Sequence, residues 1–451
     1  MTNNVNVREI VLDMLVDMEK NGTPSHILER ETLAKYQYLD KSNRAFITRV
    51  FEGTIENKIR LDYIINSFSN IKTNKMKPLI RCLLRMSTYQ IMFMDKTPDS
   101  AVCNEAVTIA NKRGFRTLKG FVNGVLRNIS RNKDNIEYPD INTDKLGYLS
   151  ICYSTPEWII EQISNQYGED RLESILLGMN RKKEGVSLRI SKKADKAEVI
   201  KSLKDSGITV EELQLYDRGI LIKGFDYLEK LEAFKSGKLI PQDESSMLVA
   251  HIADPKSGDM VVDVCAAPGG KSIHIAELLE GTGMVEARDV SEDKIMLIEE
   301  NIRRIGVENI RTKVFNGSVE DEDAIESADI VVADVPCSGL GVISKKSDIK
   351  YNMSLEKQKE LIKLQREILK EAVKYVKKGG KLIFSTCTTN RNENIENMKW
   401  LMEEYKLQAE SISQYLPKGF HDGETKNGYI QLLPDEDKTD GFFICKLIKQ
   451  V

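Results

Sequence analysis

No apolar run in this chain of 451 residues is long enough to span a bilayer, which excludes a helical membrane protein. The opening residues, Met1 to Arg8, lack a basic start followed by an apolar stretch, so no signal peptide is expected. There are seven cysteines but no C-x-x-C pair. An odd, scattered set argues against a disulfide frame or a zinc site, and for reduced thiols in a cytoplasmic protein without a metal. The G-x-G-x-x-G dinucleotide fingerprint is missing. Gly270-Lys271-Ser272 ends like a phosphate loop, but Cys265 stands where that loop needs its first glycine. A basic balance is absent too, since the net charge is −3.

What is present is an ordinary soluble composition, 41% hydrophobic and 30% charged, on a chain long enough for two to four domains. Charge is unevenly spread. Between residues 72 and 133 there are 13 Lys or Arg against 3 Asp or Glu, while acids gather at 320–323. A basic region on a nearly neutral chain is the footprint of a polyanion-binding surface.

The organising stretch is 261–272, V-V-D-V-C-A-A-P-G-G-K-S, followed by the apolar-periodic run 273–279. It reads as strand, glycine turn and helix. In an open α/β sheet such a turn lies where ligands bind, and its glycines let a ligand approach the backbone. With neither phosphate motif satisfied, the turn suits a ligand with an adenosine end and no phosphate, such as S-adenosylmethionine. Cys265, Ala266, Ala267, Pro268, Gly269, Gly270 and Lys271 are its candidate contacts.

Residues 1–133 carry helical periodicity throughout, for about six or seven helices. Asp99-Ser100 is expected to cap a helix from Ala101. Residues 134–144 read as a linker, and Thr155 as the N-cap of a helix with Pro156 in its first turn. A β-α-β-β pattern over 186–242 suggests a small α/β subdomain. From residue 242 onward strands and helices alternate as in a doubly wound parallel sheet. Two late segments, 428–433 and 441–447, suit a terminal antiparallel hairpin. The expected domains are 1–138, 139–235 and 236–451.

Several polar residues fall at expected C-terminal strand ends. Asp289 closes the strand after the glycine helix, where an acid holds a ribose hydroxyl pair. As an alternative, it is a helix N-terminal carboxylate favoured by the dipole. Asp334 ends the strand before Val335-Pro336-Cys337, and Cys387 ends the strand 382–386. Two thiols and an acid would thus share one cleft with the glycine turn. A lone strand-end cysteine is commonly a small buried hydrophobe, but two beside such a turn point to chemistry. Carbon 5 of cytosine is too weak a nucleophile to take a sulfonium methyl. A thiolate added at carbon 6 makes it an enamine carbon, an acid near N3 supports the ring charge, and a base must later remove the carbon-5 proton.

Two resemblances accompany these residues. Leu61-Asp62-Tyr63-Ile64-Ile65, residues 84–90, Pro98-Asp99-Ser100-Ala101, Asn104-Glu105-Ala106 and residues 120–127 resemble the NusB-type RNA-binding helical domain. That likeness implies RNA contact through the basic helical surface, with Lys112, Arg113, Arg116, Arg127 and Arg131 as phosphate-contact candidates. The motifs of the whole chain, in order, resemble the RsmB/Fmu/Sun type of bacterial 16S ribosomal RNA cytosine-5 methyltransferase, within the NOL1/NOP2/sun group. The resemblance implies a class I Rossmann-like methyltransferase domain with an RRM-like subdomain, preceded by a NusB-like domain. It implies S-adenosylmethionine at 265–271, Asp289 and Asp334, Cys387 as nucleophile, and Cys337 as the group that promotes release. Gln242-Asp243, Arg189 and Gly441-Phe442-Phe443 fit the pattern as well. The chain departs from it at Asn316-Gly317, where Gly-Asp is usual and where Asn316 would face the adenine side. It departs again at Arg391-Asn392, which precede the matching Glu393 and Asn394, and at Ser191. The expected partner is 16S rRNA, with no membrane, for a protein acting as a monomer. The competing readings are a non-enzymatic RNA-binding factor and a methyltransferase acting on transfer RNA.

Overall fold

A computed structural model describes residues 5–181, 184–435, 437 and 439–450. The chain divides into two compact units, Met1–Asn180 with Lys345–Asn352, and Arg181–Ser344 with Met353–Val451. Among the described residues no helix is long and apolar enough to cross a membrane.

The first unit is helical. Seven helices, Val7–Asn21, Ser25–Lys35, Lys41–Glu56, Lys58–Ser67, Pro78–Phe93, Asp99–Lys112 and Lys119–Asn132, surround one apolar core. Pro78–Phe93 is the central helix. Its Ile80, Leu83, Leu84, Met86 and Ile91 are all buried, as expected for a helix hydrophobic on most of its circumference. Asn6 caps the first helix by accepting the Arg8 and Glu9 N–H groups. Three further helices, Lys145–Cys152, Glu157–Tyr167 and Glu169–Met179, complete the unit.

The segment Lys345–Asn352 is packed into this helical unit although it lies 165 residues or more after the rest of it in sequence. Asp348 accepts the Ser25 hydroxyl at 2.5 Å and the Ser25 N–H at 3.3 Å. The Lys350 ammonium donates to the Glu56 carbonyl at 3.0 Å, and burial pulls its pKa down to about 7. Sequence periodicity offers no sign of this excursion.

The second unit holds two sheets. The smaller is antiparallel, in the order β2-β3-β1-β4, with β1 Val186–Ile190, β2 Thr209–Glu212, β3 Gly219–Lys223 and β4 Leu239–Pro241. The larger contains β5 Met260–Asp263, β6 Met284–Asp289, β7 Ile310–Val314, β8 Ala328–Asp334, β9 Val376–Thr386, β10 Leu407–Ala409, β11 Tyr429–Leu432 and β12 Phe442–Lys449. Its order is β10-β12-β9-β8-β5-β6-β7, with β11 paired to β12. Strands β5 to β9 are parallel, whereas β12 runs antiparallel to β9, β10 and β11. The late segments therefore form the expected hairpin, and β12 also extends the sheet. After β5 the chain builds outward through β6 and β7, then returns to β8 on the other side. That reversal opens a crevice beyond the carboxyl ends of β5 and β8.

Local boundaries differ from the sequence reading in three instructive places. The helix after the glycine turn begins at Gly270, not Ile273, because Gly269 takes φ +99° and serves as its N-cap. Asp99 lies inside its helix rather than capping it. Pro98 has the extended cap conformation, and the Asp99 carboxylate accepts the Ser130 hydroxyl instead. Pro156, not Thr155, precedes the first turn of Glu157–Tyr167, while the Thr155 hydroxyl donates back to the Tyr153 carbonyl.

The two sheets are joined by a buried ion pair. Arg189 of β1 meets Glu277 of the helix Gly270–Leu278, with 1% and 0% of the side chains exposed. Gln242 Oε1 accepts the Arg189 Nε–H at 2.8 Å, and the Ser191 hydroxyl donates to Glu277. Removing one partner strands the other charge in a dry interior. Glu277→Ala is expected to lower unfolding stability by about 3–5 kcal/mol in denaturant titrations, and a loss under 1 kcal/mol would show the pair to be dispensable.

Candidate active site

Every residue of the site belongs to the second unit. At the end of β5, Asp263 is fully buried and accepts the Ser272 hydroxyl at 2.6 Å, tying the strand to the first turn of the following helix. The turn between them is held from below. The Ala266 N–H donates to the Arg288 carbonyl at 2.8 Å, and the Ala267 N–H to Asp289 Oδ2 at 2.9 Å. Pro268 accepts the Asn301 amide at 3.1 Å. A Cβ on Gly269 would meet Ile298 Cγ2 at 3.1 Å in a backbone conformation that side chains disfavour, so glycine is required there. Gly270 opens a helix with no side-chain cap, so its first turn has N–H groups without an intrahelical partner. Cys265 is half-buried, and burial followed by the charges of Asp263 and Asp289 pushes its thiol well up. It is a neutral wall of the turn.

Asp289 is 6% exposed. Its Oδ1 accepts the Val290 N–H at 2.8 Å and the Lys294 ammonium at 2.9 Å. Asn316 is exposed, and its carbonyl is engaged within its own turn by the Ser318 N–H at 3.1 Å. Its amide NH2 group carries two donors. A Cβ on the neighbouring Gly317 would lie 3.3 Å from the Val264 carbonyl, so the turn abuts the end of β5.

Across the crevice, Asp334 ends β8. The Lys271 ammonium reaches its Oδ2 at 2.6 Å, and the Ser385 hydroxyl its Oδ1 at 2.7 Å. Ser385 stands beside Asp334 in the β8–β9 register. Burial works against the Lys271 charge, but Asp334, then Asp263 and Cys387, outweigh it and hold the ammonium above its ordinary value.

The two strand-end cysteines come together: Cys337 Sγ lies 3.4 Å from Cys387 Sγ. The Cys337 thiol is pushed well above the ordinary range, first by its bond to Cys387, then by burial, then by the charges of Cys387 and Glu393. Backbone bonds fix the two loops, for the Gly341 N–H donates to the Cys387 carbonyl at 3.1 Å and the Gly441 N–H to the Gly341 carbonyl at 2.9 Å. A Cβ on Gly341 would fall 1.8 Å from the Gly441 carbonyl oxygen, so this approach is open to glycine alone.

The structure brings together Lys271, Asp334, Cys337 and Cys387, with Asp289 and Asn316 farther along the same strand edge. Sequence reasoning missed Ser385, Gly341 and the partners of Glu393. Ser385 had a signal, as the strand residue opposite Asp334. The basic candidates lie in the other unit. Lys112 pairs with Glu9 at 2.6 Å, and Arg113 with Asp13 and Glu9. Arg116, Arg127 and Arg131 are exposed.

Three family models match the chain: the NusB family over residues 5–131, the ferredoxin-like domain of RsmF/B-like methyltransferases over 155–226, and 16S rRNA methyltransferase RsmB/F over 250–448. A Bacillus subtilis protein named probable ribosomal RNA small subunit methyltransferase B is 38% identical, covering 98% of this chain and 99% of that one. A Pyrococcus horikoshii tRNA (cytosine(72)-C(5))-methyltransferase is 36% identical over 49% of this chain and 55% of its own. Among solved structures, that of PH0851 superposes with a TM-score of 0.83 at 26% identity, covering 98% of this chain and 99% of that one. NSun6 from Pyrococcus horikoshii, solved with SFG, shares the fold with a TM-score of 0.57 at 23% identity, over 65% of this chain and 98% of its own.

Burial raises the Asp263 carboxyl from 3.8 to about 6, against the Ser272 bond and the Lys271 charge. Between about pH 4 and pH 6 the folded chain keeps a proton there that the unfolded chain has lost, so the contribution to stability falls as pH rises. Asp263→Asn should therefore gain on wild type by up to about 3 kcal/mol across that window. Denaturant unfolding at a series of pH values checks this, and a pH-independent difference would contradict it.

Proposed function

The chain belongs to the 16S rRNA methyltransferase RsmB/F family, and from that premise we propose that it methylates carbon 5 of a cytosine in small-subunit ribosomal RNA through a covalent adduct on Cys387. The observation that carries this reading is the pair of thiols 3.4 Å apart at the ends of two neighbouring strands. A non-enzymatic RNA-binding factor would have no use for such a pair. The relative matched end to end is named for small-subunit RNA, which favours that substrate over transfer RNA.

The crevice suits S-adenosylmethionine. The helix start at Gly270 has no side-chain cap and would receive a carboxylate. Lys271, the cation of the turn, is taken up by Asp334, so the turn offers no phosphate site. Asp289 would hold ribose hydroxyls and Asn316 the adenine edge, while Asp334 borders both cofactor and base. A protein of the same fold is named as solved with SFG, an S-adenosylmethionine analogue, which accords with this assignment. When bound, S-adenosylmethionine supplies the methyl carbon that carbon 5 of the ring takes up.

The residues of the chain divide the remaining work. The Lys271 ammonium, whose charge is felt at Cys387, favours the thiolate there. The Cys387 thiolate adds to carbon 6, forming the S–C6 bond and moving the ring π pair toward carbon 5 and N3. Asp334, fixed by Lys271 and Ser385, would border N3, and a proton passed to it from the Lys271 ammonium would let its O–H donate to the negative charge that gathers there. Once carbon 5 carries its methyl group, its proton must leave. With Cys387 bonded to carbon 6, the hydrogen bond and charge that held the Cys337 proton are gone; Cys337 then gives that proton to solvent and, as thiolate, accepts the carbon-5 proton. The released electron pair restores the C5–C6 double bond and expels Cys387 as thiolate. A target base has to leave its stack to reach the thiols, at a cost of about a few kcal/mol that is least in loop RNA. We assign the exposed Arg116, Arg127 and Arg131 of the NusB-like part to phosphate contact, with Lys112 and Arg113 available once their acids are displaced.

Cys387→Ala should abolish methylation and form no adduct. Cys337→Ala should leave an RNA–protein adduct that survives denaturing electrophoresis. The opposite pattern would reverse the two roles. Bisulfite sequencing of small-subunit RNA from cells with and without the gene identifies the target, and unchanged conversion would overturn the ribosomal reading.

A further inference from the structure

Glu393 is a fully buried carboxylate on which four neutral donors converge. Its Oε2 accepts the Ser338 N–H at 2.8 Å and the Gln365 amide at 2.9 Å. Its Oε1 accepts the Ser338 hydroxyl at 2.5 Å and the Asn390 amide at 2.9 Å. A charge taken out of water is costly unless its lone pairs are filled, and here each oxygen receives two bonds. Ser338 directly follows Cys337, and Asn390 lies in the loop that follows Cys387. One carboxylate thus grips both thiol-bearing loops. A second link runs alongside, for Ser338 Oγ and Thr388 Oγ1 are 2.7 Å apart. With its single proton given to Glu393, the Ser338 oxygen accepts from Thr388.

The next residue performs the matching task on one side only. Asn394 accepts the Thr386 hydroxyl at 2.5 Å and donates to the Thr388 carbonyl at 2.9 Å, gripping the residues before and after Cys387. Asn394 therefore fixes the Cys387 loop on the frame of β9, whereas Ser338 is tied to that loop by Glu393, which takes two of its bonds, and by Thr388.

We propose that Glu393 is a positioning residue for product release, holding Cys337 at bonding distance from Cys387 without touching the base itself. The proposal rests on the assignment of attack to Cys387 and release to Cys337. Glu393 acts by geometry. Without its grip on Ser338 the Cys337 thiol drifts from carbon 5, while Cys387, held by Asn394, still attacks.

Glu393→Gln keeps the size but replaces one acceptor oxygen with an NH2 group that faces donors. The full chain is incubated with S-adenosylmethionine and unmodified small-subunit RNA transcribed in vitro, beside wild type and Cys337→Ala. The expected result is at least tenfold more adduct than wild type on a denaturing gel, with kcat reduced at least tenfold and the KM for RNA within about twofold. A merely structural role would lower the melting temperature and the activity without accumulating adduct. If Cys337→Ala traps RNA while folded Glu393→Gln turns over like wild type, or is inactive without adduct, the positioning role is overturned. If Cys337→Ala traps nothing, the failure belongs to the assignment of the thiols. Should Glu393→Gln not fold, Ser338→Ala, which removes one hydroxyl from the same grip, is read by the same two criteria.

Discussion

The ammonium of Lys271 and the carboxylate of Asp334, 2.6 Å apart, bridge the crevice from which the rest of the site takes its form. One end sits in the first turn of the helix after β5, the other at the end of β8, so the bond spans the place where the chain order reverses. Both groups are largely removed from water, with 15% and 26% of their side chains exposed. Their mutual attraction offsets a desolvation cost that neither could bear alone. The pair also neutralises the single cation of the glycine turn, and so helps determine what the turn can hold. Through Ser385 it extends to β9, whose last residue leads directly into Cys387.

Much of this was legible in the chain because it depends on short-range pattern. Strand, glycine turn and helix over 261–279 are local, and so is the placement of Asp289, Asp334 and Cys387 at strand ends. The reading of an all-α front, a small α/β subdomain and a Rossmann-like catalytic domain was correct for the same reason. Legibility stopped where the third dimension decides. Nothing local says that loops 50 residues apart bring two sulfur atoms within 3.4 Å. Nothing local says that Gly341 is fixed by the carbonyl of Gly441, a hundred residues later, instead of by its own backbone angles. Glu393 and Asn394 stood out as residues matching a pattern, but their partners come from a preceding loop, a helix and a strand. At the helix starts the misreadings share one cause. Pro98, Pro156 and the left-handed Gly269 take the cap conformation themselves, and beside the two prolines Asp99 and Thr155 are freed for other bonds.

Buried polar groups, in this unit, mark the places where separate elements must keep a fixed spacing. Arg189 with Glu277 joins two sheets, Asp263 with Ser272 joins a strand to its helix, and Glu393 joins two loops. Apolar packing would hold these elements together with more tolerance for sliding, since it has no directional bonds. Directional bonds suit a reaction in which a misplacement of about 1 Å can cost two orders of magnitude in rate.

The excursion of Lys345–Asn352 into the helical unit has a topological consequence. The backbone passes between the two units three times, after Asn180, after Ser344 and after Asn352. No single cut divides the protein into its halves. A fragment beginning at residue 181 would carry an orphaned segment whose Asp348 and Lys350 have lost Ser25 and Glu56, and a fragment ending at 180 would lack the eight residues that pack into its own interior. The two parts are therefore interleaved pieces of one string, and neither can be expressed whole as a single continuous stretch of the chain.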